Sequence, residues 1–163
     1  CDEALAGLSE DYRYGDAGVV AVQDNPGEIT AATLERLQAM VLARLGDRAA
    51  FARVFGELVT TPRYPEVDWS PDVPLSLGEL RAARAAGGGL ERNPASRFSF
   101  VAEADGGCLL FVDGVTYACP AESAACARAL CAASVVSLAP DWPNAALELV
   151  LALCNRGALA LAG

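Results

Sequence analysis

The sequence contains no histidine and no lysine. Without His it lacks the side chain that most often serves as a general base near neutral pH, and the commonest nitrogen ligand for iron or zinc. Ser-His-Asp and Cys-His nucleophile pairs are excluded, as is every His-containing metal site. All twelve basic residues are arginines, which a GC-rich coding sequence explains as readily as a need for bidentate carboxylate recognition. Long hydrophobic runs are missing as well: no stretch approaches the roughly 18 apolar residues of a membrane helix. The N-terminus has neither the basic flank nor the apolar stretch of a signal peptide. A soluble, cytoplasmic chain with no membrane partner is expected.

Positive charge is scarce, with 12 basic against 21 acidic residues and a formal net charge of −9. Duplex binding relies on neutralising phosphates and releasing their counterions, so no DNA partner is expected. The six cysteines, at 1, 108, 119, 126, 131 and 154, form no C-x-x-C pair. Zinc knuckles and thioredoxin-like redox sites therefore have no support, and most of these thiols read as small buried apolar groups. The paired acids at 2 and 3, 10 and 11, 66 and 68, and 103 and 105 match no calcium-loop pattern and fall at turns, helix starts or the linker. No catalytic, cofactor-binding or metal-ligating residue is assigned.

What is present is a folded chain of 163 residues, 53% hydrophobic, able to bury a core. Residues 1–27 look like a helix end running into a connector, an expectation that a catalytic domain precedes them. From Glu28 the pattern is helical: Leu34, Leu37, Val41 and Leu45 recur at three- and four-residue spacing, and Gly46 is a stop. Asp47 can cap a second helix whose stripe is Phe51, Val54, Phe55 and Leu58. Residues 28–62 thus form a helical hairpin whose apolar faces need a partner, in the missing part or in a second copy of the chain. Pro62, Pro65, Pro71 and Pro74 mark a linker at 63–74, in which Tyr64 and Trp69 are expected to dock rather than stack on a ligand.

The unit at 75–163 opens with a capping box, Ser76 and Glu79, on a helix that leaves through Gly87 to Gly89. Three strands follow in "RFSFVAEADGGCLLFVDGVTYAC", with Asp113-Gly114 as a tight hairpin turn. A helix at 121–134, an apolar stretch at 135–140, a helix from Asn144 as cap to Gly157, and a short final strand complete the chain. The fold class is mainly α with a small antiparallel sheet (α+β): a helical hairpin followed by a winged-helix-like domain. Arg92, Arg97 and Arg156 read as partners of the many acids or of helix C-terminal carbonyls; the alternative is a contact surface for an acidic or peptide partner.

Four segments in order carry a resemblance. "YRYGDAGVVAVQDNPGEI" (12–29), "FARVFGELVTTPR" (51–63), "LERNPASRFSF" with "LLFVDG" (90–114) and the ending "LCNRGALALAG" resemble the C-terminal half of bacterial JmjC/cupin-type ribosomal oxygenases, the ribosomal protein arginine hydroxylases. The resemblance implies a parent whose separate barrel binds Fe(II) through an H-x-D…H triad and uses 2-oxoglutarate to hydroxylate a ribosomal protein. No such triad exists here, so no cofactor is expected in this chain. It further implies a homodimer through the hairpin, with Leu37, Val41, Phe51, Val54, Phe55 and Leu58 at the interface. The helix at 121–134 offers only Arg128 as a basic contact, and a protein-facing or architectural role fits it better than DNA recognition. The alternative reading is a stand-alone winged-helix protein-binding adaptor or regulator.

Overall fold

The computed structural model describes residues 28–162. The connector expected at 1–27, and Cys1, lie outside them. Helices α1 (Ala31–Gly46), α2 (Arg48–Thr60), α3 (Leu77–Ala85), α4 (Ala121–Ala132) and α5 (Asn144–Asn155) alternate with strands β1 (Gly89–Arg92), β2 (Phe98–Ala102), β3 (Cys108–Val112), β4 (Val115–Cys119), β5 (Val135–Ser137) and β6 (Leu159–Ala162). Backbone contacts divide the chain after Val54 into two units. The α+β expectation holds.

In the first unit, the Thr30 hydroxyl accepts from the Thr33 N–H at 3.3 Å and so caps α1. Asp47 caps α2, its Oδ1 accepting from the N–H groups of Ala49 and Ala50 at 3.0 and 3.1 Å. Both starts satisfy N–H groups that have no partner inside a helix.

The second unit holds two antiparallel sheets of three strands, in the orders β5-β1-β6 and β2-β3-β4. The second sheet is the ribbon legible in the sequence. Asp113 and Gly114 both take positive φ, 49° and 77°, as the two-residue turn between β3 and β4 requires. Its middle strand β3 is buried at all five residues. Cys108, Leu110 and Val112 belong to the main core, with Leu80, Leu90, Leu130, Leu147, Val150 and Leu153. Phe111 points the other way, under the end of α2: a Cβ on Gly56 would lie 2.4 Å from its ring. Two hydrogen-bonded links seat that helix end. Thr116 Oγ1 donates to Glu57 Oε1 at 2.5 Å, and the Gly114 N–H donates to Thr60 Oγ1 at 3.2 Å. The "F-G-E-x-x-T" stretch is therefore the set of residues that lets a helix lie close on a sheet.

Three local readings need amendment. The run from Gly87 to Gly89 does not simply release α3; Gly89 begins β1, which pairs with both β5 and β6 and centres the first sheet. The stretch at 135–140 contains a true strand, β5. Asn144 is the first residue of α5 and not its cap, a position taken by Pro143; its Oδ1 instead accepts from Arg81 Nη2 at 3.1 Å. The capping box of α3 forms as read, with Ser76 Oγ accepting from the Glu79 N–H and Glu79 Oε2 accepting from the Ser76 N–H.

Candidate functional site

The segment after α2 folds back over the second unit along β6, and two anchors fix it there. Asn155, in the last turn of α5, clamps Leu75 on both sides: its Oδ1 accepts from the Leu75 N–H at 2.7 Å and its Nδ2 donates to the Leu75 carbonyl at 3.0 Å. Gly157 follows with φ at 73°, and its N–H reaches back to the Cys154 carbonyl at 2.9 Å, closing the helix. The backbone of Trp69 lies directly over it, so that a Cβ there would sit 1.9 Å from the Trp69 carbonyl oxygen. Opposite, Asn93 Nδ2 donates to the Gly157 carbonyl at 2.8 Å and its own N–H to that of Ala158 at 3.0 Å.

Two recesses flank Trp69. The larger, about 620 Å³, is a mostly apolar cleft between Trp69 to Leu75 on one side and the end of β1 and the length of β6 on the other. Its volume falls in the range of ligand clefts, roughly 300–1,000 Å³. Glu79, Glu91 and Arg92 bring charge to its rim. The smaller recess, about 310 Å³, is polar and is lined by Glu66, Asp68 and Asp113 together with Arg156. The Ser70 N–H, 2.9 Å from Asp68 Oδ1, holds that carboxyl below its usual range.

The three arginines singled out from the sequence are thus placed differently. Arg92 is half-buried, its guanidinium carbon 5.4 Å from the centre of the Phe98 ring. Arg156 is exposed on the second recess. Arg97 lines neither; its N–H donates to Asp113 Oδ1 at 2.8 Å and its carbonyl accepts from the Asp113 N–H at 3.1 Å. Sequence reasoning missed Asn93 and Asn155. Isolated asparagines carry no periodic signal, although the Asn155 position just before an Arg-Gly helix end was a hint. Trp69 meets Gly157 through its backbone, while Trp69 and Tyr64, the two aromatics expected to dock, each keep half their surface exposed.

The residues named for the dimer interface are all exposed: Leu37, Val41, Phe51 and Val54 in the first unit, and Phe55 and Leu58 in the second. Helix α4, the expected candidate for groove recognition, buries Ser123, Ala124, Cys126, Ala127 and Leu130, and Arg128 Nη2 donates to the Gly106 carbonyl at 3.2 Å. Four of the five described thiols are buried, and desolvation pushes Cys119 and Cys126 up to about 12 and Cys154 up to about 11. Such thiols are neutral and unreactive at neutral pH. Among the described residues no group of three or more Cys, Asp or Glu is placed to hold a metal ion. None of their helices is long and apolar enough to cross a membrane.

A family model described as the ROXA-like winged helix matches residues 41–160. The chain belongs to the ROXA-like winged helix family. Solved structures carry the same fold. The ribosomal oxygenase YcfD from Escherichia coli, in complex with cobalt and 2-oxoglutarate, superposes with a TM-score of 0.71 at 17% identity, over 99% of this chain and 44% of that one. Its complex with cobalt and succinic acid gives 0.70 at 18% identity, with 99% and 44% covered. A further crystal structure of the E. coli enzyme gives 0.69 at 17%, with the same coverage. This ROXA-like winged helix therefore spans less than half the length of the YcfD chains it matches. No curated protein matches the sequence. The family match agrees with the resemblance carried by the sequence segments, and it takes in the helix end seated on the ribbon and the lining of both recesses apart from Leu161.

Proposed function

We propose that this chain is the non-catalytic C-terminal region of a cytoplasmic JmjC/cupin oxygenase that uses Fe(II) and 2-oxoglutarate to hydroxylate a ribosomal protein. In this reading residues 28–62 dimerise the parent, 63–74 link, and 75–163 form the accessory winged helix. One observation carries the proposal: a family match over 41–160 in a chain that aligns along nearly its whole length with only 44% of a ribosomal oxygenase. The residues present do not fit iron, since there is no His in the chain and no acid or thiol cluster among the described residues. The metal and cosubstrate would belong to the parent's barrel, and no step of that chemistry is assigned to residues of this chain.

Protein contact suits the accessory unit better than DNA contact. Helix α4 spends its apolar face on the core and its one arginine on a turn, and the net charge of −9 opposes phosphate. The reading frame upstream of Cys1 tests the proposal. It is expected to encode a double-stranded β-helix with an H-x-D motif and a distal His, and an in-frame stop codon just before Cys1 would contradict it.

A further inference from the structure

Strand β6 is the outer strand of its sheet, and its register decides which of its backbone groups are used. In an antiparallel pair, alternate residues turn their N–H and C=O toward the partner strand and the rest turn them away. The Asn93 N–H donates to the Ala158 carbonyl at 3.0 Å, and Glu91 lies opposite Ala160 and Gly89 opposite Ala162. Ala158, Ala160 and Ala162 therefore face β1. Leu159 and Leu161, opposite Arg92 and Leu90, direct both their N–H and C=O outward. Among the described residues no hydrogen bond reaches these four groups. Natural sheets usually cover, shorten or charge such an edge, because it invites another strand. Here it is lined by Leu and Ala, and it opens into the 620 Å³ cleft beneath Trp69 to Leu75.

We propose that the β6 edge is a docking site for an extended, basic segment of a partner protein, which adds to the sheet as a fourth strand inside this cleft. Main-chain pairing with Leu159 and Leu161 would supply the affinity and alternate side chains the selectivity, as in other strand additions. One set of side chains falls on the face of Leu159 and Leu161, toward Leu75 and Cys154, and favours apolar residues. The other set falls beside Ala160, whose small side chain leaves Glu91 within reach of a long cationic one. Charge selects the partner's sign. Glu79 and Glu91 outnumber Arg92 in the lining of the cleft, and Glu66, Asp68 and Asp113 outnumber Arg156 in the recess on the far side of Trp69. A second copy of the chain is disfavoured as occupant of this edge, since its own β6 would bring the uncharged stretch Leu159–Ala162 to a rim that carries Glu79 and Glu91.

Amide exchange on the purified chain tests this with a synthetic peptide of alternating Arg and Val. Without peptide, the Leu159 and Leu161 amides are expected to exchange faster than that of Ala160, which bonds to β1. With peptide, both become protected, a version N-methylated at alternate residues has no effect, and Glu91→Gln weakens binding about two- to fivefold. An alternating Glu and Val peptide binding as well as the Arg and Val one would overturn the assigned chemistry. Binding that leaves both amides unprotected, or no binding at millimolar peptide, would overturn the site. Protection of the two amides in the peptide-free chain that rises with its own concentration would assign the edge to a second copy and overturn the basic partner.

Discussion

At the scale of single residues, the fold rests on a few positions where no other side chain fits. Gly157 is constrained twice, by a left-handed backbone and by the Trp69 carbonyl where a Cβ would be. Gly157→Ala is expected to lower stability by about 1–3 kcal/mol from backbone strain. It should also displace the linker, raising the exposure of Trp69 as read by fluorescence quenching, whereas unchanged quenching would show that the linker is held elsewhere. The thiols make a second prediction, with a definite sign. Cys119, Cys126, Cys131 and Cys154 have native values raised to about 11 or 12 from the ordinary 9.0, so the unfolded chain ionises first. Their stabilising share is complete below pH 9 and drains away as pH rises toward the native values. The urea midpoint should fall between pH 9 and 11, less so in Cys126→Ala. A midpoint independent of alkaline pH would mean that these thiols are solvated.

Among the elements, the seat of α2 on the ribbon is the clearest structural consequence of a short motif. Gly56→Ala puts a methyl group into the Phe111 ring, a buried aromatic with little room to retreat, and is expected to cost about 1–3 kcal/mol of overpacking. Circular dichroism with urea titration reads this directly, and a neutral variant would show the helix end loosely seated. Much at this scale was legible in the sequence, because the signals are local: the Ser76 and Glu79 capping box, the Asp-Gly turn and the ribbon folded at its glycine-containing turns each contain their own cause. The first sheet was not. Strand β1 starts on the last of three glycines and offers one buried residue, Leu90, while β5 has three residues; neither has a period to detect. Strand β1 is held between β5 and β6, which come from later in the chain and supply its pairing on either side. For the same reason the cleft was invisible: its walls are a proline-rich linker and the last strand, joined by Asn93 and Asn155 through contacts that span 64 and 80 residues.

For the whole molecule, charge and exposed apolar surface decide what this chain can meet. Its net charge of −9 opposes phosphate and suits the basic segment proposed above, while α1 and α2 carry large apolar side chains to solvent, with Val54 and Leu58 at 54% and 62% exposure. An apolar stripe repeated along two successive helices is the signature of a surface meant for burial. The family was legible at this scale, since three of the four segments that carried the resemblance overlap residues 41–160. Sedimentation equilibrium of the purified chain at micromolar concentration tests the account of a dimerising accessory region most directly. A dimerising chain sediments as a species of twice the 16.8 kDa chain mass, converted to single chains by Val54→Asp with helix content unchanged. A wild-type chain that sediments at 16.8 kDa throughout that range would contradict it.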